Sequence, residues 1–273
     1  MKKILSLILA VATLVSALSL TSCMVHPEKD WENVQKNGKF IVGCTEFDPM
    51  NYYENDQLVG FDTEYAQAVA AYLGVEVEFR MITWSQKYME LNGGKIDCIW
   101  NGFTSNSSDN GVARSESVRF TTGYATNYQC IVMKEGTVFT SVADLAGKTC
   151  AVEGGSAGEA YAITVTDEDN VVAKDAQIDA FTELKAGTVD FIVVDVLLAN
   201  RTCGNGDFTD CNIVYEKTDD VELYAIGCRI GSTLAAKIDE ATEALMNDGT
   251  LEALAAKYGV PLSAEVLELK NAE

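Results

Sequence analysis

Three polar clusters in this chain each follow an apolar, strand-like run. Asn101, Gly102 and Thr104 come directly after IDCIW, and Arg114 follows them. Ser156 and Ala157 come after KTCAVE and a glycine pair, and Asp195 comes directly after DFIVV. The C-terminal ends of strands are where open α/β sheets place their ligands. These residue types suit recognition of a small zwitterion. An arginine fork and backbone N–H groups at a helix start take a carboxylate, and an aspartate takes an ammonium. Asp195 could instead only cap the helix DVLLANR. Other chemistries lack their parts. The single histidine, His26, stands near the N-terminus, so Ser-His-Asp and Cys-His sites have no imidazole to use. GGSAG has no following lysine, so it is not a nucleotide phosphate loop. No C-x-x-C occurs, which weakens zinc and thioredoxin-type readings, and a single histidine excludes histidine-rich metal sites; neither metal nor other cofactor is expected. Carboxylate catalysis stays open, because acidic residues abound.

The elements that must hold these clusters follow from periodicity. GKFIVGC reads as a buried strand. Phe61, Tyr65, Ala68, Val69 and Tyr72 recur at helical spacing, with Asp62 as a cap and Gly74 as a stop. VEVEFRM alternates as a strand does, a short helix near Ser85–Leu91 follows, and IDCIW closes the block. The pattern then restarts with QCIVMK, KTCAVE, a helix from GEAYAI, a helix over Ala176–Ala186 and the strand DFIVV. LYAIGCRI reads as one more strand, and two helices end the chain. Successive βαβ blocks imply parallel sheets with right-handed crossovers. The expected fold is α/β, with two doubly wound lobes joined by a two-strand hinge. Residues 38–126 plus 220–273 would form lobe one and residues 127–219 lobe two.

Lys2 and Lys3 precede an apolar run from Ile4 to Leu20 that ends in Leu20-Thr21-Ser22-Cys23. This is the anatomy of a secretory signal over residues 1–22. The closing tetrapeptide resembles a bacterial lipobox, which implies lipid on Cys23 and a tether over residues 23–37. With 20 basic against 41 acidic residues the net charge is −21, which argues against nucleic acid and against polybasic docking on lipid. Cys44, Cys98, Cys130, Cys150 and Cys228 lie in apolar runs, as small buried hydrophobes do. Cys203 and Cys211 flank the turn-rich GNGDFTD, where an exported protein could form a disulfide.

Six segments in order carry a family resemblance: GKFIVGCTEFDPMNY, LVGFDTEYAQAVAAYLG, KIDCIWNGFT, VRFTTGYATNYQCIVMK, SVADLAGKTCAVEGGSA and AGTVDFIVVD. From about residue 38 to 260 the chain resembles the family 3 extracellular solute-binding proteins, the amino-acid-binding components of ABC importers. The resemblance implies the type II periplasmic binding protein fold, a free amino acid as ligand, an ABC permease as partner, a monomer, and a place outside the cytoplasm on a lipid anchor. It gives Arg114 the ligand carboxylate, with N–H groups of Thr104, Ser156 and Ala157. Asp195 takes the ammonium, with the Thr104 hydroxyl and the Asn101 carbonyl, beside Gly102. Phe47 and Trp84 flank the ligand side chain, and Glu46, Glu153 and Val194 shape its pocket. About five residues within SNSSDNGVA are extra to the family pattern. Placing that gap differently puts Asp109 in the arginine slot, and the carboxylate grip is then lost or passes to Arg119. The opening turn is one residue short, so Glu46 and Thr45 compete for one place. Glu153 stands where some relatives carry lysine, which hints at a cationic or hydrogen-bonding ligand side chain. Two rivals are a dehydratase of cyclic prephenate-like acids on the same fold and a ligand-binding sensor.

Overall fold

The computed structural model of the protein describes residues 25–270, so the expected signal segment and Cys23 lie outside the described residues. Two five-stranded sheets carry the fold. The first runs Glu76–Met81, Lys39–Cys44, Cys98–Ile99, Gly227–Cys228, Arg119–Phe120. The second runs Val171–Lys174, Cys150–Glu153, Phe191–Asp195, Gln129–Lys134, Cys211–Glu216. Alternation along each strand splits the side chains between two layers. Phe40 and Val42 enter the core under helices Phe61–Leu73 and Leu234–Asn247, while Ile41 packs on the other face with Leu91, Ile96 and Phe103. All of Phe191–Asp195 is buried, as a strand covered on both faces must be. Each such Phe or Leu contributes roughly 1.5–3 kcal/mol by leaving water.

The sheets are mixed rather than wholly parallel. Gln129–Lys134 runs antiparallel to both its neighbours, and so does Gly227–Cys228. Both strands are entered from the crossover between the sheets. That crossover is a short antiparallel pair, Ala125–Asn127 with Glu222–Tyr224, in the register Glu222↔Asn127 and Tyr224↔Ala125. LYAIGCRI is therefore two strands: Tyr224 pairs in the crossover, and Gly227 enters the first sheet.

Three further expectations are corrected. The tether is folded from residue 27 onward, as a 3₁₀ turn Pro27–Lys29 and a helix Asp30–Asn37. Val34 is buried in the core, and Asp30 is buried against Arg229, which anchors the segment. Cys203 and Cys211 are free thiols. Cys203 ends helix Val196–Thr202 and packs on the core, while Cys211 opens a strand with its thiol toward Asp210. Asp62 does not cap its helix, whose N-cap is Gly60. Among the described residues no helix is long and apolar enough to cross a membrane.

Candidate ligand cleft

Two buried polar staples place the loop 101–104. The Asn101 side-chain oxygen accepts from the Thr45 N–H at 3.0 Å and the Thr45 hydroxyl at 2.7 Å. Its NH₂ donates to the Thr45 carbonyl at 3.0 Å and to Asn51 Oδ1 at 2.8 Å. Gly102 donates its N–H to Asp62 Oδ2 at 2.7 Å, and the same oxygen accepts from the Tyr124 hydroxyl at 2.8 Å. Burial pushes the Asp62 carboxyl up to about 7. Gly102 has φ +57°, and a Cβ there would lie 2.7 Å from the Phe47 ring and 2.9 Å from that of Tyr224. Only glycine lets the loop pass between those rings.

One side of the cleft is rich in donors. Arg114 is 1% exposed. It donates from Nε to Asp109 Oδ1 at 3.0 Å, from Nη1 to the Thr104 carbonyl at 3.1 Å and from Nη2 to the Gly155 carbonyl at 3.2 Å. Five N–H groups on one guanidinium leave donors over. Among the described residues the N–H and hydroxyl of Thr104 make no hydrogen bond, and neither does the N–H of Ala157. Ser156 caps helix Ala157–Val165 by accepting from the Glu159 N–H at 3.0 Å, which turns the helix start toward the cleft.

Lys87 is a second cation that the sequence did not reveal. It opens helix Lys87–Asn92, is 2% exposed, and donates to the Gly155 carbonyl at 2.9 Å. Its Nζ lies 3.4 Å from Asp109 Oδ2 and over the rings of Tyr88 and Trp84 at 4.7 and 5.0 Å. Burial lowers the lysine to about 8, against the attraction of Asp109. Asp109 belongs to the hairpin of Ser108–Asp109 with Val112–Ala113, built from the extra residues. It ties Arg114 and Lys87 together instead of displacing Arg114, and Arg119 is exposed.

The opposite side is acidic. Asp195 stands at the N-cap of its helix without a capping bond, because its carboxylate is engaged elsewhere. Oδ1 accepts from Gln129 Nε2 at 2.8 Å, from the Tyr224 hydroxyl at 2.8 Å and from Asn127 Nδ2, while Oδ2 accepts from Gln177 Nε2. Asn127 and Gln129 also donate to Glu222, at 2.6 Å and 3.0 Å. Asp195 and Glu222 are thus neighbouring buried carboxyls, and no salt bridge reaches either among the described residues. Burial raises Asp195 above the ordinary carboxylate range. Burial and then the charge of Asp195 raise Glu222 to about 8.

Phe47, Trp84, Asn101, Gly102, Thr104, Arg114, Glu153, Ser156, Ala157 and Asp195 line one cleft, joined by Gln177 and drawn nearly shut, with about 10 Å³ of free room. Two nominated residues are not in the lining. Glu46 is exposed and Thr45 takes the inward place, because the short turn stapled by Asn101 holds Thr45 inside. Val194 lies in the core with Phe181 and Leu184, one strand position out of phase with Asp195.

Residues 40–261 match the family model for bacterial extracellular solute-binding proteins, family 3. The probable amino-acid-binding protein YxeM of Bacillus subtilis is 31% identical over 92% of this chain and 93% of its own length. The arginine-binding extracellular protein ArtP of the same organism is 27% identical over 81% of this chain and 86% of its own. An ABC uptake transporter substrate-binding protein from Streptococcus pneumoniae, solved with bound histidine, superposes with a TM-score of 0.77. It is 29% identical and covers 86% of this chain and 98% of that one.

Proposed function

The chain belongs to family 3 of the bacterial extracellular solute-binding proteins, and from that premise we propose that it captures one free α-amino acid between its lobes for an ABC importer. The observation that carries this reading is the opposition of charge across the cleft. Arg114, Thr104 and Ala157 offer donors to a carboxylate. Asp195, held by Gln129, Gln177 and Tyr224, offers an acceptor to an ammonium. Arg114 and Thr104 lie on the first-sheet side, and Ala157 and Asp195 on the second. A ligand that touches both sets favours the closed arrangement by its differential affinity for it. The closed form then docks on the permease. The lipobox-like end of the apolar run at Cys23 supports a lipid anchor for a monomer outside the cytoplasm.

Calorimetry and thermal shift with the twenty amino acids test the site. At least one is expected to bind. Arg114→Ala and Asp195→Asn are each expected to weaken it by about tenfold or more, as truncating one partner of a buried charge pair does. If both variants keep full affinity, the assigned residues are wrong.

A further inference from the structure

Resting on the amino-acid reading above, we propose that the preferred ligand carries a second positive charge on its side chain, and that Glu153 is the residue that selects it. Glu153 ends the strand Cys150–Glu153, beside the parallel strand that ends in Asp195. It is 3% exposed, and among the described residues its Oε1 has no hydrogen-bond partner. A buried carboxyl oxygen without a donor is costly, and burial and then the charge of Asp195 raise this carboxyl to about 8, so its retention in a cleft wall points to a donor that arrives with the ligand.

The charges around the cleft support the same conclusion. Its two cations are already engaged. Lys87 is held by the Gly155 carbonyl and Asp109, and Arg114 by Asp109, Thr104 and Gly155. Neither comes within ion-pair distance of Glu153, Asp195 or Glu222. Two buried carboxyls, Glu153 and Asp195, therefore line the ligand space, against one α-ammonium on an ordinary zwitterion. Asp195 and Glu222 share the donors Asn127 and Gln129 and form one acidic pair that a single ammonium can answer. Glu153 shares none of those donors, so it forms a separate acceptor. Phe47 and Trp84 line the same space, and aromatic walls beside a carboxylate suit an alkyl stem or a planar guanidinium.

The test compares cationic amino acids with neutral partners of the same shape, using the mature chain. Calorimetry is run with L-arginine against L-citrulline and with L-lysine against L-norleucine. One cationic member is expected to bind about 30-fold or more tighter than its neutral partner, and Glu153→Gln to bring that ratio within about threefold. The wild-type ratio needs no variant, so a misfolded Glu153→Gln leaves the proposal testable. A neutral partner that binds as tightly in the wild type would overturn the selection, and so would a ratio unmoved in a folded Glu153→Gln. Either result leaves amino-acid capture standing. No heat with any amino acid would overturn both readings together.

Discussion

Replacing Arg229 by methionine is expected to destabilise the folded chain by about 3–5 kcal/mol. The residue is 3% exposed, and its guanidinium makes four hydrogen bonds and a second close contact to Asp30. Nε donates to Asp30 Oδ2 at 2.9 Å, and Nη2 lies 2.9 Å from Asp30 Oδ1 and 3.0 Å from Asp97 Oδ1. Nη1 donates to the carbonyls of Leu91 and Ile96 at 2.9 and 2.7 Å. Methionine fills the stem's space but leaves Asp30 buried without a counter-charge and removes the arginine's donors from the Leu91 and Ile96 carbonyls, of which Leu91 still accepts from the Gly94 N–H at 3.1 Å. Asp97 suffers less, because it is partly exposed and also accepts from the Ile41 N–H at 2.9 Å. Denaturant titration reads the loss. The double variant Arg229→Met with Asp30→Leu is expected to recover much of it, since no orphaned charge then remains. A single variant that loses less than about 1 kcal/mol would show that the pair does not anchor helix Asp30–Asn37.

That cluster also shows where sequence reading stops. Strand and helix periods made both sheets visible, because a continuous apolar run such as FIVV or an i, i+4 row such as Phe61 and Tyr65 has one physical meaning. The segment before residue 38 looked polar, and its fixation depends on an arginine 199 positions away. In the cleft, residues at strand ends were legible, since chain direction brings Thr104, Ser156 and Asp195 into one lining, while Arg114 was reached through the family pattern. The residues that hold them were less so. Asn127 with Gln129, and Glu222 with Tyr224, are polar groups spaced by two on facing crossover strands, a signal present in TNYQ and ELY. Lys87 gave none, because a lysine on a short helix ordinarily reaches water. Its burial follows from Gly155 crossing from the other lobe, where a Cβ on the glycine would lie 3.3 Å from Nζ. Glu46 and Val194 missed by a single position, a slip that reverses which face a side chain takes.

Ligand affinity is expected to rise by up to about tenfold per pH unit between about pH 5 and pH 8. The carboxyl of Glu222 moves from 4.5 to about 8 on folding, through burial and then the neighbouring Asp195. Between those values the folded, ligand-free chain holds a proton that the unfolded chain has released. The associated stability is therefore full below pH 4.5 and is lost as pH rises through about 8. The ligand-free melting temperature should thus climb as pH falls from 8 toward 5. An ammonium arriving at Asp195 and Glu222 replaces that shared proton. Binding then releases about one proton, and a reaction that releases a proton is favoured by higher pH. Ligand affinity and ligand-free stability should accordingly run in opposite directions with pH. Calorimetry in two buffers of different ionisation enthalpy counts the proton, and thermal shifts at pH 5, 6.5 and 8 read both trends. Glu222→Gln should lower the affinity slope, because the amide has no proton to give up; the slope that remains belongs to Glu153, which burial and then Asp195 likewise raise to about 8. A wild-type affinity that is level across this range, with no buffer-dependent heat, would mean that the ammonium lands away from the crossover pair.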